Sequence, residues 1–189
     1  MTTSRRLLVA SALLTVSLFL LSSTAGATTV SPDTWVERMC KTLSKWTDDV
    51  KAEGRGTKVQ AALAGSASNL GDGKALLTKF FGKVIDATDV AVKSLQKAGT
   101  PDAPNGKKIA DGFVSGLKEA KRLFVRAQVR ARRLSTSDAA AFKSGATALQ
   151  VGLSASSEAL SASFSGISKL DTSGKIDAAG KRSAACAAL

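Results

Sequence analysis

The sequence predicts an all-α protein: an antiparallel four-helix bundle with a short C-terminal helix tied by a disulfide. Three observations predict it. Apolar residues recur at helical spacing through nearly all of the chain beyond residue 30, and no alternating strand pattern interrupts them. Glycine, proline and capping residues cut that pattern into four long segments, and short connections between amphipathic helices favour antiparallel neighbours. Two cysteines, Cys40 and Cys186, stand near the two ends of the helical region.

The chain opens on a segment that reads as a secretory leader. Arg5 and Arg6 form its positive start, Leu7 to Leu21 its apolar run, and Ala25 and Ala27 supply the small residues that predict cleavage after Ala27. The apolar run is about fifteen residues, short of the ~20 that span a bilayer, so an uncleaved anchor is the weaker reading. This divides the chain into a signal peptide at 1–27 and a single domain at 28–189. "SRRLL" leaves the general secretory and twin-arginine routes both open. The expected location is secreted or associated with the cell envelope.

The first predicted helix starts at "SPDTW", with Ser31 as N-cap, Pro32 in the first turn and Asp33 at the positive helix end. Val36, Met39, Cys40, Leu43, Trp46 and Val50 form its apolar stripe, and Gly54 ends it. Residues 55–71 read as a connection with room for a short helix. The second helix spans about Asp72 to Ala98, with Leu77, Phe80, Phe81, Val84, Thr88, Ala91 and Leu95 facing inward and an Asp89–Lys93 pair facing out. "PDAPNG" is a turn.

The third helix runs from about Asn105 to Leu134 on a stripe of Ile109, Phe113, Leu117, Ala120, Phe124, Ala127, Ala131 and Leu134. "STSD" caps the fourth, about Asp138 to Leu170, whose stripe is Phe142, Leu149, Leu153, Leu160, Phe164 and Ile167. Gly145, Gly152, Ala159 and Gly166 recur every seven residues beside that stripe. Since glycine inside a helix costs about 1 kcal/mol against alanine, the strip predicts a closely approaching neighbour. A short last helix is expected to carry Cys186.

An even cysteine count in an exported chain predicts a Cys40–Cys186 disulfide. With no histidine and two cysteines, a closed zinc site lacks ligands, and Ser-His-Asp and Cys-His nucleophile sites lack their base. Asp86 and Asp89 share a face, but beside Lys83 and Lys93, as a solvated helix surface requires. "GTPDAPNGKK" and "GSASNLGDGK" lack the first glycine of a phosphate loop. No catalytic residue, metal or cofactor is expected. Trp35 and Trp46, three turns apart on one side, read as core packing.

"DTWVERMCKTLSKWTDDV" and "GTPDAPNGKKIADGF", with a cysteine close to the end, carry a resemblance. The chain resembles a functionally uncharacterised group of small exported helical proteins of actinobacteria, which open on Trp-x4-Cys-x2-Leu-x2-Trp and end near a cysteine. The resemblance covers most of the chain beyond the leader. It implies a fold and a location, and no catalytic residue, because its motifs are structural.

The formal charge is +12, and loss of the leader's two arginines leaves the domain strongly basic, which favours anionic partners. "KRLFVRAQVRARRL", Lys121 to Leu134, concentrates that charge. On a helix Lys118, Arg122, Arg126, Arg130 and Arg133 fall within about 120° of one another, opposite the apolar stripe. These five are the candidate anionic-partner site. An anionic envelope polymer, a lipid surface or an acidic protein fits it. No aromatic side chain interleaves with the arginines, which argues against nucleic acid. The sequence therefore predicts a non-enzymatic exported interaction or structural protein, with a carrier of an apolar small molecule between the helices as the alternative.

Overall fold

Thr29 and Val30 form the first regular element, β1 (Thr29–Val30), in a computed structural model that describes residues 28–187 and 189; within 155–163 it gives side chains only at 158 and 161. The leader expectation falls on residues outside those described. Helix α1 (Pro32–Gly54) begins as its cap predicts, the Ser31 hydroxyl accepting from the Thr34 amide. The short helix allowed for in the first connection is α2 (Thr57–Leu63). The remaining long helices are α3 (Leu70–Lys97), α4 (Gly106–Arg132) and α5 (Ala139–Ser168). Asn69 caps α3 through Asp72, and Asp138 caps α5 through the amides of Ala140 and Ala141. The last helix, α6 (Lys175–Arg182), ends before Cys186, so the cysteine sits in the turn that follows rather than on the helix.

Side chains that meet across the helices fix their directions. Lys83 reaches Glu53 and Trp46 reaches Thr88, so α1 runs against α3. Asp89 meets Lys121 and Gln128 meets the Thr78 carbonyl, so α3 runs against α4. Trp35, Phe113 and Phe164 bring α1, α4 and α5 into one aromatic ladder, with ring centroids 5.7 and 5.3 Å apart. Two features lie outside the four-helix expectation. Helix α2 packs on both α3 and α5. And β1 pairs in parallel with β2 (Thr100–Pro101), the Thr100 amide donating to the Thr28 carbonyl at 3.0 Å and the Asp102 amide to that of Val30 at 2.8 Å. Gly99 turns the chain into that ladder with φ +88°, and a Cβ there would lie 2.5 Å from the Thr28 oxygen.

The core has two clusters along the helix axes. One gathers Trp35, Val36, Met39, Cys40, Val92, Leu95, Ile109, Leu117 and Ile167. The other gathers Ala62, Leu77, Phe81, Ala127, Ala131, Phe142 and Leu149. The predicted α1 stripe is buried only at its start, while Leu43, Trp46 and Val50 are half-buried. Cys40 and Cys186 form the disulfide, with Cα atoms 5.0 Å apart across 146 positions of sequence. A disulfide is compatible with an oxidising, extracellular setting.

The strip of small residues on α5 acts differently from its prediction. Gly145 does admit a neighbour, since a Cβ there would meet Leu134 at 2.5 Å. Among the described residues nothing lies within 4 Å of a Cβ at Gly166, and the Ala159 side chain is outside those described. The close approach of α4 to α5 is made by α4's own glycines: a Cβ at Gly112 or Gly116 would lie 2.8 Å from Ile167 or 2.9 Å from Phe164.

Candidate anion-binding face

Helix α4 lies between α3 and α5 and shows solvent only the face between them. Lys121 marks the α3 edge, with its ammonium 2.7 Å from both carboxylate oxygens of Asp89. Asp89 is thereby engaged across helices rather than with Lys93 as predicted. Arg130 marks the α5 edge, its guanidinium lying over Gly152. Between these edges stand the predicted Lys118, Arg122, Arg126, Arg130 and Arg133, all exposed. The apolar stripe opposite them is buried at Ile109, Leu117, Ala120, Ala127 and Ala131, which is why the cations can only point outward.

Four residues of this face were not in the predicted set. Arg132 is exposed and, by the ~100° step of a helix, flanks Lys118 on the α3 side. Val125 and Val129, each 40 % exposed, lie by the same step among the cations. The fourth is Glu119, whose carboxylate accepts from Arg122 at 2.7 Å and Arg126 at 3.3 Å. The Arg122 hydrogen bond, with help from Arg126, holds the Glu119 carboxyl below its ordinary value despite partial desolvation. Its position was legible: Glu119 precedes Arg122 by three residues and so shares its side of the helix. Among the described residues Lys118, Arg130, Arg132 and Arg133 make no ion pair.

The face continues into a groove between α4 and α5, of about 210 Å³, lined by Leu123, Arg126, Ala127, Arg130, Leu149, Gly152 and Leu153. A second hollow, about 440 Å³, opens between α2 and α3 on Ala61, Ala67, Ala75 and Leu76, with Lys58, Asp72 and Lys79 among its polar lining. The two tryptophans serve packing, as predicted. The Trp35 indole donates to the Gly99 carbonyl at 3.1 Å, and the Trp46 indole to Thr88 Oγ1 at 3.0 Å. Thr88, wholly buried, passes its own proton to the Val84 carbonyl at 2.7 Å. Among the described residues no helix is long and apolar enough to cross a membrane, and no three His, Cys, Asp or Glu are placed to hold a metal ion.

No protein-family model matches the chain, and neither a curated protein nor a solved structure matches it.

Proposed function

We propose that the mature protein is an exported, non-enzymatic helical-bundle module of the cell envelope, built like the actinobacterial group it resembles, which meets an anionic surface through the outer face of α4. One observation carries this reading. Six exposed cations, Lys118, Arg122, Arg126, Arg130, Arg132 and Arg133, run from the middle of α4 to its C-cap with a single carboxylate, Glu119, among them. A face kept only for solubility mixes both signs, whereas one-signed clustering raises the local concentration of opposite charge. Arginine adds the planar fork that grips phosphate or carboxylate. The disulfide accords with export.

Co-flotation with vesicles tests the proposal. The protein should rise with phosphatidylglycerol vesicles and stay behind with phosphatidylcholine vesicles. Binding only to phosphatidylcholine, or to neither at low salt, overturns it.

The carrier reading has its own support in the α2–α3 hollow, whose volume of about 440 Å³ lies within the ~300–1,000 Å³ of small-molecule sites. Native mass spectrometry of protein purified from its own cells tests it. An apolar adduct lost on changing Leu76 to Lys would favour the carrier.

A further inference from the structure

The α4–α5 groove joins two chemistries that the rest of the basic face keeps apart. Its rim holds Arg126 and Arg130, and its floor is Leu123, Ala127, Leu149 and Leu153. Ala127 and Leu149 are buried, and Leu123 and Leu153 half-buried, so the floor offers a narrow apolar strip between more polar walls. Arg130 makes no ion pair among the described residues, and Arg126 holds Glu119 only at 3.3 Å, the longer of that carboxylate's two contacts. An arriving anion therefore finds one guanidinium open and a second loosely held.

We infer that this groove seats one anionic phospholipid, its phosphodiester between Arg126 and Arg130 and the first methylenes of an acyl chain along Leu123, Leu149 and Leu153. The inference rests on the proposed anion-binding face and narrows its partner. A cell-wall polyanion has no use for the leucine floor, or for Val125 and Val129 standing among the cations. A lipid surface uses all of them, as amphipathic helices at membrane interfaces do. The groove's size limits the claim: about 210 Å³ equals about seven water-sized volumes, room for a few methylenes and not for a whole lipid. The rest of the chain stays in the bilayer, so the groove is a docking point and not a carrier's pocket. Glu119 acts as a built-in competitor, because it holds Arg126 until a phosphate displaces it.

The test uses the exported protein with its disulfide intact, titrated by calorimetry with lysophosphatidylglycerol below its micelle concentration. Inorganic phosphate and lysophosphatidylcholine are the comparisons. Each buried methylene is worth about fourfold in affinity, so three of them should make lysophosphatidylglycerol on the order of fiftyfold tighter than inorganic phosphate. Gly152→Leu should fill the groove at little cost to the fold, since among the described residues its Cβ would meet the far end of the Arg130 side chain, at 3.3 Å. Circular dichroism checks that the variant is folded. It should lose most of the lysophosphatidylglycerol affinity yet still float with phosphatidylglycerol vesicles, because the cations outside the groove remain. Arg130→Gln should weaken lysophosphatidylglycerol and inorganic phosphate alike.

Lysophosphatidylglycerol binding that Gly152→Leu leaves unchanged, or that is no tighter than inorganic phosphate, overturns the groove. Vesicle binding that persists without any lysophospholipid binding overturns the groove and leaves the basic face standing. Loss of both in the parent protein overturns both.

Discussion

At the end of the molecule where α4 begins, the packing is fixed by directional bonds; where α4 ends, it is fixed by shape. The first end holds the Cys40–Cys186 bridge, the Trp35–Gly99 hydrogen bond and the Thr28–Asp102 ladder, while the Trp46–Thr88–Val84 hydrogen bonds lie midway, level with Lys121. The second holds Phe81, Phe142, Leu77 and Leu149 among buried alanines. Surface chemistry divides the same way. Near its start α4 pairs Lys107 with Asp111; over its second half arginines outnumber their one carboxylate. The difference teaches that the residues specifying the fold and the residues offered to a partner are largely separate sets. The basic half rests on close-packed hydrophobics that ask nothing of its outward side chains.

Breaking the shape-packed end should cost most. Phe142 is fully buried, and Phe142→Ala should lose about 3–5 kcal/mol in denaturant unfolding with the disulfide intact. Removing the bridge by Cys186→Ser should cost about 2–4 kcal/mol, lowering the melting temperature while far-UV circular dichroism keeps its helical signal. An unfolded Cys186→Ser protein would show that the bond-rich end carries the fold alone. Thr88→Val should cost about 1–2 kcal/mol, because it strips the Trp46 indole of its acceptor. The difference in tryptophan fluorescence between parent and Thr88→Val, with Trp35 common to both, checks that the loss arises there.

Much of this division could be read from the sequence. Ser31 and Asp138 mark helix starts by chemistry local to one turn, whereas α3 starts at its Asn69 cap rather than near Asp72, and the buried positions of α3 and α4 follow the 3.6-residue period. Partner-dependent features stayed hidden. Asp89 chooses Lys121 over Lys93 because α4 lies against α3, and no single-helix rule contains that neighbour. Gly145 meets a neighbour as expected, but the close approach along α4 and α5 is made at Gly112 and Gly116, because which glycine faces a neighbour depends on helix rotation. The two-residue ladder is too short to leave an alternating pattern. Of the binding face, five cations were legible as one stripe. Glu119 lay just outside the quoted basic run, and the 40 % exposure of Val125 and Val129 depends on how far α3 and α5 cover α4.

Glu119 gives the smallest and most specific effect. Glu119→Gln should raise affinity for phosphatidylglycerol vesicles about two- to fivefold at neutral pH, the scale of one exposed ion pair. The sign with pH follows from its lowered carboxyl: the parent stays ionised as pH falls through the ordinary carboxylate range, and releases Arg122 and Arg126 only below it. The advantage of the glutamine variant should therefore persist at pH 5 and vanish under more acid conditions. Equal binding by parent and variant at neutral pH would show that Glu119 does not compete.

The central claim, that the second half of α4 is the part offered to an anionic surface, is tested most directly by reversing charge at its two ends. Arg122, Arg126 and Arg130 are changed together to Glu in one variant, Lys107 and Lys108 in another, and each is floated with phosphatidylglycerol vesicles at low and at physiological salt. Both variants should keep the parent's melting temperature within a few degrees, because all five side chains are exposed. The triple variant should not bind at either salt. The double variant should bind at low salt nearly as the parent does, and both should release as salt rises and exposed charges are screened over about 8–10 Å. A triple variant that binds like the parent, or two variants that lose binding equally, would contradict the account.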